Sequence, residues 1–147
     1  MTAPQTIVVA TDFGPSAEAA LDKAIGLAKK LKAKIVLVHT YQMPIVGFPD
    51  GAIVASAELV SRIVNGAQAG FSRTLDKREG CGVHIETILE QADPREGILA
   101  VAKRVHADLI VVGTHGRKGI ARALIGSVAE SVVRTADVPV MTVHAPG

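Results

Sequence analysis

Tryptophan is absent from this 147-residue chain, and aromatic residues make up only 3% of it, one tyrosine and three phenylalanines. Readers of unpaired bases stack them on aromatic rings, so the scarcity argues against a nucleic-acid platform, and equally against a sugar platform. The single cysteine, Cys81, cannot close an intrachain disulfide, which suits a reducing compartment, and its Gly80-Cys81-Gly82 setting reads as a turn. Charge of one sign is lacking too: 16 Lys and Arg against 14 Asp and Glu leave a net +2, with the basic residues scattered. That gives no electrostatic case for nucleic acid or a membrane surface. No apolar run approaches the roughly 20 residues of a membrane span, and no charged-then-apolar segment occupies Met1 to Gln5. A soluble, cytoplasmic protein is expected. The five histidines, His39, His84, His106, His115 and His144, show no paired short spacing, which argues against a transition-metal site.

Apolar residues, by contrast, make up 48% of the chain, enough for one domain spanning residues 1–147 with a substantial core. Ile7-Val8-Val9-Ala10, Ile35-Val36-Leu37-Val38 and Leu109-Ile110-Val111-Val112 are continuous apolar runs. Such runs, without polar alternation, predict strands covered on both faces, as in parallel sheets. From Ser16 to Lys32, the residues Ala20, Leu21, Ala24, Ile25, Ala28 and Leu31 fall on one helical stripe. A loop with Pro44, Gly47 and Pro49 leads to an amphipathic helix from about Ala52 to Arg78, and Val83 to Leu89 alternates like an edge strand. Asp93-Pro94-Arg95-Glu96 supplies a helix start, with Asp93 as N-cap, Pro94 at the first helical position and Glu96 completing a capping box. A helix from Ser127 to about Thr135 and a strand Val138 to His144 follow. Strands alternating with helices predict an α/β fold, a single doubly wound, five-stranded parallel sheet.

The segment between the third apolar run and the last helix is punctuated by glycines: Gly113, Gly116, Gly119 and Gly126-Ser127. A strand ending in glycines admits an anion close to the backbone, and a helix opening at Gly126-Ser127 aims N–H groups and its positive dipole end at the same place. The pattern is neither a P-loop nor the dinucleotide fingerprint; its form is G-x2-G-x9-G-S. Turn residues alone explain isolated glycines as well, and Ser127 with Glu130 also fits an ordinary capping box. With strand order 3-2-1-4-5, the winding reverses between the first and fourth strands, and ligands sit at that point. Ala10-Thr11-Asp12 and the glycine loop then face one crevice from positions about 100 residues apart. Asp12 has a second reading, as a cap for the first helix. Arg117, Lys118 and Arg122 read equally as phosphate contacts and as a solvated loop face.

These residues together resemble the nucleotide-binding branch of the universal stress protein family. The resemblance runs from Thr6 to Val143: the opening Ile7-Val8-Val9-Ala10-Thr11-Asp12, the helix beginning near Ser16-Ala17, Val36-Leu37-Val38-His39, the Gly113/Gly116/Gly126-Ser127 motif and the closing Val138-Pro139-Val140-Met141-Thr142-Val143. It implies a flavodoxin-like, Rossmann-like fold with order 3-2-1-4-5 and a bound ATP or other adenine nucleotide, any Mg arriving with the nucleotide. By position it implies that Asp12, with Thr11 beside it, accepts hydrogen bonds from the nucleoside, and that Ala10 and Thr40 offer backbone contacts near the base. Val112 and Gly113 then line the ribose side. Gly116, Gly126, Ser127 and Val128 hold phosphates through N–H groups and the Ser127 hydroxyl, with Arg117 nearby. Ala129 departs from the pattern, since a hydroxyl residue is often found there. A valine at Gly126 is expected to block binding and leave the fold intact.

Two further expectations concern activity and assembly. No positioned base or charge-stabilising set for phosphoryl transfer is visible beyond the loop cations, and Ser127 has no evident His/Asp partner, so a binding protein with at most weak ATP hydrolysis is expected. Val138, Val140, Met141 and Val143 leave an apolar sheet edge, which seeks a partner. The resemblance implies a homodimer through this strand, Val138 to Val143; cover by the loop Met43 to Gly51 is the alternative. The function expected is a nucleotide-binding stress-response regulator whose occupancy alters binding of a regulatory protein partner. The alternatives are a nucleotide-independent, chaperone-like dimer and a slow ATPase. A phosphotransfer receiver is set aside, because Asp12 stands alone and the third strand ends in Leu89-Glu90.

Overall fold

The three continuous apolar runs form the middle of one sheet in the structure, a computed structural model that describes residues 5–43, 56–115 and 125–145. They are β1 (Thr6–Ala10), β2 (Lys34–Tyr41) and β4 (Leu109–Gly113), with β3 (Ile85–Gln91) and β5 (Val140–Val143) at the edges. The order is β3-β2-β1-β4-β5 and every pairing is parallel. Ile7, Val8, Val9, Ile35, Val36, Leu37 and Val111 are wholly buried. Each run is apolar throughout because its two alternating sets both meet helices. Ile7, Val9, Ile35, Leu37 and Val111 pack under α1 (Pro15–Leu31) and Phe71 of α2 (Ala57–Asp76). Val8, Val36, Val38, Ile110 and Val112 pack under α3 (Pro94–Arg104) and α4 (Ser127–Thr135). Each such side chain contributes about 1.5–3 kcal/mol of burial.

The helices reach the sheet by different means. α1 presents Ala20, Leu21, Ala24, Ile25 and Ala28 inward, a mostly small-residue stripe that lets it lie close. At its first turn it crosses the end of β4, where a Cβ on Gly113 would stand 2.7 Å from the backbone carbon of Ser16. Glycine at 113 is therefore required by helix packing, whatever else it does. α2 is seated by Ala67, Gly70, Phe71 and Thr74. Beyond its end, Arg78 ties it to α1 through Glu18 and through Asp22 at 2.9 Å. α3 starts with Asp93 as N-cap and Pro94 in the first turn, as its sequence predicts, and Asp93 Oδ1 accepts from the Arg95 N–H at 2.9 Å, but the Glu96 side chain makes no bond back to Asp93 to complete the capping box.

Several boundaries differ from the sequence reading. α1 begins at Pro15 with Gly14 as its N-cap, one residue before Ser16. α2 is seen from Ala57, and residues 44–55, including Pro44, Gly47 and Pro49, lie outside the described residues. β3 runs later than Val83 to Leu89, because the turn at Gly80 and Gly82, with φ of 78° and 81°, delays it and pairing of Gln91 with Tyr41 extends it. β5 is shorter than Val138 to His144, since its partner β4 offers pairing only from Ile110 to Gly113. The Ser127/Glu130 capping box does not form: Gly126 is the N-cap, and the Glu130 side chain pairs with Arg134 at 2.9 Å. No described helix is long and apolar enough to cross a membrane.

Candidate functional site

From β1 the chain winds to β2 by way of α1, while β4 is laid on the opposite side of β1 after α3. The chain leaves β1 for the face covered by α1 and β4 for the face covered by α4, and a crevice is left between the two connections. A cavity of about 280 Å³ occupies it, near the lower bound of small-molecule sites.

The cavity brings the residues expected from the sequence together from four elements. Ala10, Thr11 and Asp12 come from the end of β1, Thr40 from β2, Val112 and Gly113 from β4, and Gly126, Ser127 and Val128 from the start of α4. Every described residue among those singled out from the sequence lines this one space. Gly116 and Arg117, like Lys118 and Arg122, lie outside the described residues. Val38, Pro94, Ile98 and Ala129 supply an apolar wall from β2, α3 and α4.

Hydrogen bonds fix the β1 end. The Thr11 N–H donates to the Val38 carbonyl at 2.8 Å, and Thr11 Oγ1 accepts from the Phe13 N–H at 2.9 Å. Asp12 Oδ1 accepts from the Gly14 N–H at 2.8 Å, an Asx turn that sets the entry to α1. This answers the capping alternative: Asp12 shapes the turn before the helix and does not bond its first-turn N–H groups, since Gly14 is the N-cap. His39 Nδ1 lies 2.8 Å from the Thr11 carbonyl. A carbonyl only accepts, so Nδ1 carries the proton.

At the other wall the structure revises one expected role. The Gly126 N–H donates to the Thr114 carbonyl, so it is not free for a phosphate. A Cβ on Gly126 would stand 2.7 Å from that same oxygen, so a valine there disturbs the backbone as well as any ligand. The first intrahelical bond of α4 runs from the Glu130 N–H to the Gly126 carbonyl at 2.9 Å. Ser127, Val128 and Ala129 therefore open the helix with N–H groups that have no intrahelical acceptor, and all three residues line the cavity. With the helix dipole, they make that wall receptive to an anion. The Ala129 side chain is buried beside Val132 and carries no hydroxyl, so its N–H is the one polar group it offers a ligand.

Sequence reasoning gave no ligand role to Thr114, His39, Ala17, Pro94 and Ile98, all of which line the cavity. Thr114 has no exposed surface; its N–H donates to the Val143 carbonyl at 3.0 Å and its hydroxyl shares a hydrogen bond with His144 Nδ1 at 3.1 Å. The available signal was a polar residue after a buried apolar run: Thr114 directly follows β4, and His39 follows Ile35 to Val38 within β2. Among the described residues no three His, Cys, Asp or Glu side chains converge as a metal site.

Residues 4–144 match the model of the universal stress protein family. A universal stress protein of Methanocaldococcus jannaschii is 34% identical over 142 residues, 95% of this chain and 82% of that protein. A solved universal stress protein in complex with cAMP superimposes with a TM-score of 0.71 at 30% identity, over 98% of this chain and 99% of the other. One from Lactobacillus plantarum gives a TM-score of 0.78 at 22% identity, over 95% and 97% of the two chains.

Proposed function

The chain belongs to the universal stress protein family, and on that footing we propose that it binds an adenine nucleotide, ATP in the first instance, and acts as a homodimeric stress-response regulator. The observation that carries this is the cavity at the winding reversal, with the Asp12 carboxylate on one side and three helix-opening N–H groups on the other. The base would lie against Val38, Pro94 and Ile98, and the ribose hydroxyls would donate to Asp12. The phosphates would take the N–H groups of Ser127, Val128 and Ala129. A cyclic adenine nucleotide in a structural relative 30% identical supports the ligand class. Magnesium would arrive on the phosphates. Turnover is expected to be slow at most, because phosphoryl transfer needs a base or a positioned water beside the γ-phosphate.

The two sheet edges support the dimer. On β3, Glu86 pairs with Lys34 at 3.4 Å and Glu90 with Arg104 at 3.0 Å, so charge guards that edge. β5, with sequence Val-Met-Thr-Val, carries no charge and leaves Met141 38% exposed. Pairing of β5 with a second copy would cover it, and nucleotide occupancy would then alter how the dimer meets a regulatory partner.

Calorimetric titration with ATP, with ADP and AMP as competitors, tests the ligand. Saturable heat displaced by either competitor is expected. No heat up to about millimolar, or roughly −4 kcal/mol, would refute it. Light scattering tests the dimer: wild type should have twice the chain mass and Met141→Lys the single mass, whereas a monomeric wild type would refute the pairing.

A further inference from the structure

Phe13 sits at φ 65°, in the left-handed region that aromatic residues rarely enter. Lys32 and His106 share a positive φ, but both lie at helix carboxyl ends, where that conformation is routine. Phe13 instead lies between Asp12 and α1, in the turn that lines the cavity. Such outliers persist only where their surroundings over-determine them, and here the surroundings are specific. Thr11 Oγ1 takes the Phe13 N–H, and Asp12 Oδ1 takes the next one. The ring lies 4.5 Å from the ring of His39 and 5.5 Å, edge to face, from that of Phe71. Its nearest atoms stand 2.7 Å from the point a Cβ would occupy on Gly70. His39 closes the circuit by donating Nδ1–H to the Thr11 carbonyl.

Gly70 and Phe71 are two of the four residues that seat α2. The other fastening of that helix, Arg78 to Glu18 and Asp22, lies beyond its carboxyl end, and the buried residues begin only at Ala67. The wedge formed by Phe13 thus holds the middle of a helix anchored at one end, and the same residue ends the turn that presents Asp12 to the cavity. We propose that occupancy of the cavity and seating of α2 are linked through Phe13, a proposal that rests on the nucleotide reading of the site. A ligand held by Asp12 requires the left-handed turn, the turn requires the ring to be seated on Gly70 and Phe71, and the seated ring holds α2 down. Linkage is reciprocal, so whatever lifts α2 weakens the ligand, and the ligand tightens α2.

The test combines hydrogen exchange with calorimetry on the whole chain. In wild type, ATP should slow amide exchange across 63–72 of α2, although no residue of that stretch lines the cavity. Gly70→Ala places a carbon where the ring lies, and its affinity for ATP should fall about tenfold, within the usual range of coupling between sites, while α2 exchange stops responding. Alanine is the better helix former, so helix propensity cannot account for that loss. Phe13→Gly carries the test should Gly70→Ala not fold: it removes the wedge and relieves the turn, so α2 should exchange faster and ignore ATP. Variants that bind ATP as wild type does, with α2 protected equally, would overturn the linkage while leaving the nucleotide reading intact. A wild type that gives no heat with ATP would overturn both.

Discussion

Gly126→Ala should weaken the fold and the ligand together, because one added carbon meets a backbone atom that cannot rotate away. The new Cβ would stand 2.7 Å from the Thr114 carbonyl oxygen, whereas ordinary contact begins at 3.4 Å, so the two segments must part by the difference, 0.7 Å. Overpacking of this kind costs about 1–3 kcal/mol, and stretching the Gly126 N–H bond to that oxygen adds part of a further ~1 kcal/mol. At about 2–4 °C per kcal/mol for a domain near this size, the melting temperature should fall by roughly 2–16 °C. The same displacement carries Ser127, Val128 and Ala129 with it, since Gly126 is the N-cap of α4. Losing one charge-assisted contact of about 1.5–3 kcal/mol would raise the Kd for ATP about tenfold or more. Differential scanning fluorimetry and calorimetric titration read the two effects separately. Gly26→Ala is the matched control, adding the same carbon where nothing lies within 4 Å. If Gly126→Ala melts within a degree of wild type and binds ATP unchanged, the contact with Thr114 does not govern this wall.

Three other outcomes follow from the same geometry. Gly26→Ala and Gly66→Ala, in exposed helix positions with open space around the added carbon, should each stabilise by about 0.5–1 kcal/mol in urea titration. Arg78→Met should destabilise by about 2–3 kcal/mol in the same assay, because it leaves the partly buried Glu18 carboxylate with only the Thr74 hydroxyl at 3.3 Å. The Arg95 side chain, by hydrogen bond and charge, holds the Asp93 carboxyl below its ordinary 3.8. A depressed carboxyl stabilises the fold above its unfolded value and loses that contribution as pH falls through the native one. Stability should therefore drop on acidification below 3.8, and less steeply in Asp93→Asn; equal slopes in pH-dependent unfolding would contradict the pairing.

The sheet was legible in the sequence because its signals are local and redundant. Ile7 to Ala10 and Leu109 to Val112 are short, β-branched-rich and apolar at every position, as a doubly covered strand is, and Asp93-Pro94 marks the start of α3 by capping chemistry alone. The site was half legible. Asp12 and Ser127 could be placed together once the strand order was assumed, because strand ends in such a sheet converge by topology. What stayed hidden depends on contacts between distant segments. Nothing near Gly126 says that its N–H is taken by Thr114, and nothing near Phe13 says that its ring will meet Gly70. Gly113 reads as part of a ligand motif, yet the pressure on it comes from Ser16, 97 positions earlier in the chain. The capping box at Ser127 failed because pattern and position compete: the helix took Gly126 as its N-cap, and Glu130 turned to Arg134.

The bond between Thr114 and Gly126 has one more consequence. It brings together the two ends of the stretch 115–125, while Thr114 is itself pinned to β5 through Val143 and His144. A chain segment whose ends are already joined adds little when it is lengthened, about 0.6 kcal/mol for each doubling. That stretch can be exchanged for one of another length or charge without asking the sheet to move. A chain with that stretch exchanged for one of another length should therefore keep its melting temperature as long as Thr114 and Gly126 are left untouched.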